Sequence, residues 1–281
     1  MYAHVCQLFA LARSNMYSTL TTLIDRLDSS AISDTDVIQW GSPVPSFGDL
    51  AGALVATLGL NPSNREFVDK SGDELEGASR RFHTLRSLGL RSWEEVDARH
   101  LDMIIESCRL YFHGNPYDTW FKRLDQVISG TSASYYSSTT RACHLDLIPY
   151  ATTRKWTELS PRQRSSLLTS AGDTLSLLLR DSEIQIMVLN GKSVVQEFQA
   201  ISGVALESEE MPDWSLPRQS SPGVRGIAYR GTIDSLSGNA LGREILVLGF
   251  NHNIQSSFGV TTKVLRAIHS WIAQMVEEVS Q

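Results

Sequence analysis

The stretch "VATLGLNPSNREFVD", residues 55–69, decides the fold of this chain and raises the question of its function. An apolar run ends abruptly there in Gly59-Leu60-Asn61-Pro62-Ser63. A generic strand-to-helix turn uses glycine for the bend and Ser, Asp or Asn for the helix cap. A proline directly after Asn61 also fixes the backbone and keeps that asparagine extended. The stretch therefore indicates either a capped turn or an asparagine held rigidly at the mouth of a sheet, where α/β folds bind ligands.

Apolar runs and helical patterns alternate along the rest of the chain. The predicted buried strands are residues 54–60, 142–148, 184–189 and 244–250. The predicted helices are residues 92–112, 116–129, 160–180 and 261–280. Short continuous apolar runs between helices are typical of a parallel sheet that is covered on both faces. We therefore expect a three-layer α/β/α sandwich with a central, mostly parallel four-stranded sheet.

The remaining segments are predicted to elaborate a single domain that covers residues 1–281. Residues 1–50 are expected to form an N-terminal helical extension and a loop, and residues 51–281 the core. Prolines and glycines around residues 202–223 predict a surface insertion or loop. Residues 224–236 are expected to form an antiparallel edge strand that pairs with residues 244–250.

Composition excludes several functional classes. The 281 residues are 42% hydrophobic and 20% charged, with a net charge of −6, so bulk charge does not hold this protein on DNA. A local basic face remains open, for example at Arg80 and Arg81. Three distant cysteines and seven scattered histidines fit neither a disulfide framework nor a metal site. No run of 18 apolar residues occurs either, so no membrane span is expected. We expect a cytoplasmic monomer that needs no metal or cofactor.

Several catalytic motifs are missing, whereas polar residues follow all four predicted strands. "LNGKSVV", residues 189–195, lacks the glycine that a phosphate-binding loop needs at position 186, so it predicts a strand-to-helix turn. No nucleophile elbow or dinucleotide-binding fingerprint occurs. The polar groups at the strand ends are Asn61-Pro62-Ser63, His144 with Asp146, Asn190-Gly191-Lys192, and Asn251-His252-Asn253 with Gln255-Ser256-Ser257. Four such groups at one edge of a sheet indicate a ligand site.

The order "GLNPS … ACHLDLIPYAT … IMVLNG … LVLGFNHNIQSS" resembles the uracil-DNA glycosylase superfamily over roughly residues 50–270. The resemblance implies base flipping and hydrolysis of an N-glycosidic bond. It implies that Asn61 positions water, that Asn251 or His252 contacts the departing base, and that Phe67 stacks under the base, with Phe82 as a competitor. The fourth motif departs from the family, because His252 replaces its proline and Ile254 or Gln255 occupies the wedge position. No lysine stands in a motif position, so no strand-cleaving lyase step is expected.

The resemblance and the strand ends together give the candidate residues. The base-binding candidates are Asp146, Phe67, His144, Pro62 and Ser63. The candidates for sugar or DNA contacts are Tyr117, Trp120, Tyr135, Tyr136, Arg80, Arg81, Lys192, Gln255, Ser256 and Ser257. The aromatic members of the second set suit a sugar, although core and loop packing explains each of them alone equally well.

Asp146 indicates which base the protein would select. Uracil readers commonly carry an asparagine at this strand position, whereas an ionised carboxylate only accepts hydrogen bonds. An acceptor matches the amine of cytosine, and a C5 modification would then distinguish the target from ordinary cytosine. The superfamily includes phage-defence glycosylases that act on glucosylated hydroxymethylcytosine, which this chain resembles more than it does repair enzymes. Alternatively, Asp146 caps a turn before Pro149 or forms a salt bridge with an arginine.

The sequence thus predicts a monofunctional DNA glycosylase that leaves an abasic site, as an anti-phage defence. One alternative is a repair glycosylase for uracil or mismatched thymine. An alternative of another class is a catalytically silent DNA-binding module, which the altered fourth motif favours and the intact Asn61-Pro62 pair opposes.

Overall fold

The computed structural model describes residues 2–218, 223–255 and 259–280. The helices in these ranges are α1 (Tyr2–Leu27), α2 (Ser30–Ser33), α3 (Leu85–Leu88), α4 (Ala98–Arg109), α5 (Asp118–Ile128), α6 (Pro161–Ala171), α7 (Thr174–Arg180), α8 (Lys192–Ser202) and α9 (Thr262–Ser280). The strands are β1 (Val55–Gly59), β2 (Ala142–Asp146), β3 (Ile186–Asn190), β4 (Glu207–Leu216), β5 (Val224–Leu236) and β6 (Asn239–Phe250). No helix among the described residues combines the length and apolar character that crossing a bilayer requires.

The chain divides into two compact units that alternate along the sequence. The first unit comprises Met1–Gly52, Leu60–Pro116 and Leu145–Glu183. The second comprises Ala53–Gly59, Tyr117–His144 and Ile184–Gln281. The chain passes from the second unit into the first between Gly59 and Leu60, so β1 and the Asn61 loop belong to different units. The expected single domain over residues 1–281 stays a prediction.

A six-stranded sheet in the order β2-β1-β3-β6-β5-β4 organises the second unit, with the last two residues of β2 assigned to the first. β1 pairs with β3 and β3 with β6 in parallel, whereas β6 pairs with β5 and β5 with β4 in antiparallel fashion. The carboxyl ends of β1, β3 and β6 therefore leave the same edge of the sheet. The α/β class is confirmed, but the expected number of four strands is wrong.

The predicted loop at 202–223 supplies the sixth strand, in addition to the four predicted buried strands and the antiparallel strand expected at 224–236. Residues 207–216 of this segment form β4, which pairs with β5 and makes β5 an inner strand rather than the expected edge strand. Acidic residues disfavour a strand in a sequence pattern, but Glu207, Glu209 and Glu210 of β4 are exposed. Exposed charges suit an edge strand, because they oppose pairing of its free side with another chain.

β1 shows why the apolar run predicts a central strand. All five of its residues are buried, as expected for a strand with a neighbour on each side. Thr57 is the polar exception, and its hydroxyl lies 2.5 Å from Tyr135 Oη and 2.6 Å from His144 Nδ1. These contacts satisfy a hydroxyl that would otherwise be costly to bury.

Two predicted helices are shorter than their patterns. In the segment 92–112 the helix begins after Asp97, whose carboxylate accepts a hydrogen bond from the His100 backbone, whereas Ser92 precedes only a short 3-10 turn. In the segment 160–180 the helix begins after Ser160, whose side chain accepts a hydrogen bond from Gln163 N. That segment divides into α6 and α7 at residues 172–173. The N-terminal helix and the helices at 116–129 and 261–280 are confirmed within a few residues.

The first unit contains its own core. The buried residues Leu20, Leu23, Ile24 and Leu27 line one side of α1. Arg26 on the same helix forms an ion pair with Asp173, with 2.7 Å between Nη1 and Oδ1. A buried aromatic cluster, which we define as Phe47, Phe67, Phe82 and Tyr111, packs ring against ring within this core.

Candidate functional site

The loop that carries Asn61 is attached to the segment that follows β2. Leu60 O accepts a hydrogen bond of 2.9 Å from Ile148 N. Ser63 forms an isolated parallel bridge with Thr152, and Asn64 Nδ2 donates to Thr153 O at 3.1 Å. Because these contacts hold both ends of the loop, the backbone at Asn61 is fixed within the first unit.

The side-chain amide of Asn61 has a defined orientation. Its Nδ2 donates to Thr152 Oγ1 at 2.9 Å, to Pro62 O at 3.1 Å and to Tyr150 O at 3.4 Å. The opposite orientation would set the amide oxygen against two carbonyl oxygens, so the network selects this one. The Asn61 Oδ1 atom makes no hydrogen bond with any other described residue, and the side chain is half-buried. The loop thus presents one oriented acceptor.

Pro62 and Ser63 have the structural roles that a capped turn predicts. Pro62 is buried, and Ser63 is exposed. Ser63 Oγ accepts a hydrogen bond of 3.2 Å from Arg65 N and caps the 3-10 turn Asn64–Glu66. The capped turn is therefore confirmed, whereas a ligand-binding role of Asn61 at the mouth of a sheet stays a prediction. Contact of these two residues with a base stays a prediction.

Glu66 is a buried acid that sequence reasoning missed. It is 3% exposed, and its Oε2 accepts a hydrogen bond of 2.9 Å from Tyr111 Oη and lies 3.9 Å from Arg81 Nε. The pKa of Glu66 is raised to about 7, chiefly by burial and to a smaller extent by the charge of Asp146, while Arg81 and Tyr111 oppose the rise. In the sequence, only the apolar Phe67 that follows Glu66 indicates burial. An isolated acid in a polar loop is otherwise expected to be exposed.

Asp146 is the last residue of β2 and is 4% exposed. The charge of Asp146 contributes to the raised pKa of Glu66, a second buried carboxyl group in the first unit. Asp146 is close in sequence to the partners of Asn61, because the segment that follows β2 supplies Tyr150 and Thr152.

The predicted stacking residue Phe67 has no open ring face. Phe67 is 2% exposed and its competitor Phe82 is 1% exposed, with 5.9 Å between the ring centroids. Trp40, which sequence reasoning did not select, packs against Phe67 at 6.1 Å and is 37% exposed. The role of Phe67 as the surface under the base stays a prediction, and the buried ring alone does not provide that surface.

His144 lies in the second unit, although it is only two residues before Asp146. Its ring contacts Trp120 at 5.0 Å and Phe121 at 5.4 Å, and its Nδ1 bonds to Thr57. The side chain is 2% exposed. These contacts give His144 a packing role in the second unit, and its contact with a base stays a prediction.

The aromatic residues expected to build a sugar pocket differ in their exposure to solvent. Tyr135 is 3% exposed and is hydrogen-bonded to Thr57, so it belongs to the core. Tyr136 is 39% exposed and donates to Asp118 Oδ1 at 2.7 Å. Trp120 and Tyr117 are half-buried. The alternative of core packing therefore applies to Tyr135, and the expected sugar contacts of the others remain predictions.

Asn251 and His252 directly follow β6, and their side chains bond to backbone atoms within the second unit. Asn251 Oδ1 accepts from Ile227 N at 2.9 Å, and its Nδ2 donates to Arg225 O at 2.7 Å. His252 is 2% exposed, and its Nε2 lies 2.7 Å from Trp214 O. Burial lowers the pKa of His252 below its usual value, and the bond to Trp214 opposes this shift. Both side chains hold the end of β6 against neighbouring strands.

Two amides meet at the carboxyl ends of β3 and β6. Asn190 Nδ2 donates to Gln255 Oε1 at 3.2 Å. Asn190 Oδ1 and Gln255 Nε2 are buried atoms without a partner among the described residues. Lys192 is exposed in the first turn of α8, after Gly191 with its φ of 101°, which confirms the expected strand-to-helix turn. Ser256 and Ser257, the predicted phosphate contacts, lie outside the described residues.

The two arginines of the predicted basic face differ in exposure and partners. Arg81 is 14% exposed in its side chain, contacts Glu66 and donates from Nε to Asn115 O at 2.7 Å. Arg80 is half-buried, and its guanidinium makes no hydrogen bond or ion pair with another described residue. Both line an open pocket of about 570 Å³ in the first unit, together with Tyr111. Arg80 is therefore the more available cation, whereas Arg81 is engaged by Glu66 and the Asn115 carbonyl.

Among the residues that the structure describes, no group of three or more His, Cys, Asp or Glu side chains is arranged to hold a metal ion. Comparison with models of known protein families and with curated protein sequences finds no match.

Proposed function

We propose that this protein is a monofunctional DNA glycosylase that hydrolyses the N-glycosidic bond of a flipped-out modified pyrimidine and leaves an abasic site. The geometry of Asn61 is the observation that supports this proposal most strongly. Three acceptors bind its amide nitrogen, and its oxygen stays open for a water hydrogen. The three-layer sandwich of the uracil-DNA glycosylase superfamily is part of the same proposal.

The proposed chemistry needs little from the protein beyond position and charge. The bond from C1′ to the base nitrogen breaks, its electron pair leaves with the base, and the sugar develops oxocarbenium character. Water then bonds to C1′ while Asn61 Oδ1 accepts one of its hydrogen bonds and aims its lone pair, and the proton that the water loses ends on the departed base. Because an amide is too weak a base to take the proton, rate depends largely on stabilising the charge that grows on the base.

Asp146 supports a cytosine-type base as the target. A buried carboxylate at the end of β2 accepts hydrogen bonds from an exocyclic amine, whereas it would face the O4 acceptor of uracil. A C5 substituent, in the proposal a glucosylated hydroxymethyl group, distinguishes this base from ordinary cytosine. The biological role that follows is defence against phages whose DNA carries that modification.

A catalytically silent DNA-binding module is the second candidate, and the contacts of Asn251 and His252 favour it. Both side chains bond to backbone atoms of neighbouring strands, so neither presents a free group to a departing base in this conformation. Such a module would retain DNA binding without any release of base.

One experiment tests the proposal directly. Purified protein is incubated with oligonucleotides that carry uracil, hydroxymethylcytosine or glucosylated hydroxymethylcytosine, and abasic sites and free bases are quantified. We expect release of the modified cytosine by the wild type and at least ~100-fold less by Asn61→Ala. DNA binding without base release from any substrate would support the silent module, and release of plain uracil alone would support the repair enzyme.

A further inference from the structure

An open pocket of about 570 Å³ lies against α4 in the first unit, and the proposed chemistry at Asn61 leaves it without a role. A cavity of this size suits a small-molecule ligand. The lining of this α4 pocket includes Arg80, His83, Asp102, Glu106, Leu110 and Asn115.

His83 gives the α4 pocket a fixed hydrogen-bond acceptor. The residue is 6% exposed, and its Nδ1 lies 3.0 Å from Ser87 Oγ. Ser87 donates its one hydroxyl hydrogen to Thr84 O at 3.1 Å, so its oxygen accepts from Nδ1–H. Burial, and to a smaller extent the charge of Arg80, lowers the pKa of His83 to about 4, which leaves the ring neutral near pH 7. Nε2 therefore carries a lone pair, and it makes no hydrogen bond with another described residue.

The other polar groups of the α4 pocket are mostly acceptors as well. Asn115 Nδ2 donates to Ser79 O at 2.9 Å, and its Oδ1 makes no hydrogen bond with another described residue. Both oxygens of Glu106 accept from Arg109, at 2.6 Å and 2.7 Å, and a carboxylate oxygen can accept a further bond. The carboxylate of Asp102 lines the same space. A ligand of this pocket therefore has to supply several hydrogen-bond donors.

The charges of the α4 pocket favour a neutral ligand. Arg80 is its available cation, but the carboxylates of Asp102 and Glu106 repel any further anionic group in the same space. A sugar hydroxyl donates to such acceptors and carries no charge. Leu110, which is 38% exposed, offers an apolar surface for the C–H groups of a sugar ring. A neutral hexose fits these features better than a nucleotide with several phosphates.

The wall of the α4 pocket is bonded to the loop that carries Asn61. Arg81 and Tyr111 also line the pocket, and they donate to Arg65 O and, at 2.9 Å, to Glu66 Oε2. Arg65 is four residues after Asn61, and such a stretch spans at most about 14 Å. The pocket therefore belongs to the same part of the first unit as the Asn61 loop.

We propose that the α4 pocket binds one neutral hexose unit, whose hydroxyls donate to His83 Nε2, to Asn115 Oδ1 and to the two carboxylates. On the proposed substrate this unit is the glucosyl group on C5, so this source of the hexose rests on the proposed function. Asp146 then selects the base, and the α4 pocket selects its substituent. The sugar contacts that the sequence predicts at Tyr117 and Tyr136 belong to the second unit and are a different site.

The test compares two single-stranded oligonucleotides, one with glucosylated and one with unglucosylated hydroxymethylcytosine. Their Kd values are measured in the Asn61→Ala background, which is expected to suppress turnover. His83→Asn keeps a donor for Ser87 but removes the acceptor at Nε2, so the preference for the glucosylated strand should fall about 5- to 10-fold. His83→Gln, whose amide oxygen reaches the position of Nε2, should restore most of it.

Two further variants keep the test independent of the buried histidine. Asn115→Ala changes an exposed residue and should lower the same preference about 2- to 10-fold. Arg80→Ala removes a cation of the same pocket and should weaken both strands alike. In addition, saturation-transfer NMR of wild type with methyl glucoside should show contact with the free sugar, and His83→Asn should weaken it.

The outcomes separate the α4 pocket from the glycosylase activity. A preference that depends on His83, without base release by the wild type, would keep the hexose site and refute the glycosylase. Contact with free methyl glucoside but no preference between the strands would keep the site and detach it from the base. Base release with a preference unchanged in His83→Asn and Asn115→Ala would keep the glycosylase and overturn the inference. Equal weakening of both strands by His83→Asn, or no contact with the free sugar and no preference, would also overturn it.

Discussion

At the scale of single residues, Asn61 is the centre of the proposed chemistry. Asn61→Ala should lower kcat/KM at least ~100-fold, because one positioned polar group typically contributes 2.7–4 kcal/mol to the transition state. Asn64→Ala is the matched control, since this amide in the same loop also bonds to the segment after β2. Abasic-site formation and urea unfolding are measured for both variants. Equal activities of the two variants would exclude Asn61 as the group that positions water.

Asp146 decides the prediction about the base. Asp146→Asn supplies a donor where the carboxylate only accepts, so the variant should lose activity on modified cytosine and gain relative tolerance for uracil. The change in the ratio of kcat/KM values should correspond to about 1–3 kcal/mol. The ratio is measured on matched oligonucleotides, and a ratio equal to that of wild type would make Asp146 a structural residue.

Glu66 gives the protein a pH-dependent stability. Its pKa is raised to about 7 in the folded state from 4.5, so the neutral form stabilises the fold below pH 4.5. That contribution, on the order of 3 kcal/mol, is lost as the pH rises towards 7. Urea unfolding of wild type and Glu66→Gln at pH 5 and pH 8 measures it. We expect the difference in unfolding free energy to shift in favour of Glu66→Gln at pH 8, and a constant difference would contradict the assignment.

At the scale of secondary-structure elements, Asn251 joins the end of β6 to β5. Asn251→Ala removes bonds of 2.9 Å and 2.7 Å to the β5 backbone. The unfolding free energy should fall by about 1 kcal/mol, because a part-buried N–H and an exposed carbonyl lose their hydrogen-bond partner. Activity per folded molecule should change little if the role is structural. Loss of kcat without loss of stability would instead support the catalytic role that the resemblance implies.

The elements also show how local signals compete. The pattern at 92–112 contains a serine, two acids and a long apolar periodicity, yet α4 begins only after Asp97. Asp97 caps this helix in place of Ser92, because the Asp97 carboxylate and the His100 side chain each accept a hydrogen bond from the other residue's backbone N–H. A sequence pattern locates such a helix, but the partner that completes a cap is decided by three-dimensional contacts.

At the scale of the whole molecule, the net charge of −6 opposes nonspecific DNA binding and leaves affinity to local contacts. Arg80→Ala should weaken binding to every sequence equally. It should also lower the salt dependence of log K by about 0.7 if Arg80 meets one phosphate of single-stranded DNA. Arg91→Ala, which removes an arginine side chain that is 93% exposed, is the control. Affinities are measured over a salt series, and an unchanged slope in Arg80→Ala would remove Arg80 from the DNA-binding surface.

Arg81 is unsuitable for the same test, because adjacent basic residues can differ in exposure and in hydrogen-bond partners. The sequence places Arg80 and Arg81 side by side, so both appear equally available. Arg81 instead contacts the buried Glu66 and the Asn115 carbonyl. A charge reversal there would place a second carboxylate beside Glu66 and destabilise the fold. Exposure of neighbouring charges depends on packing, which composition does not report.

The sequence by itself determined the α/β class, the positions of β1, β2, β3 and β6, and the turn at Asn61. These features depend on signals that are local along the chain, namely apolar runs, glycine at a positive φ, and capping side chains. The same local chemistry correctly assigned the stretch around Gly191 as a strand-to-helix turn.

Only the tertiary structure decided which polar side chains are available. It paired the acidic segment 207–216 with β5, buried Glu66 beside Tyr111, and directed the Asn61 nitrogen towards Thr152. Each outcome depends on a partner that is distant in sequence, and a hydrogen bond, a buried charge or a strand pair has no one-residue signature. The physical reason is that burial and polar satisfaction belong to the folded chain as a whole, whereas periodicity and capping belong to short segments.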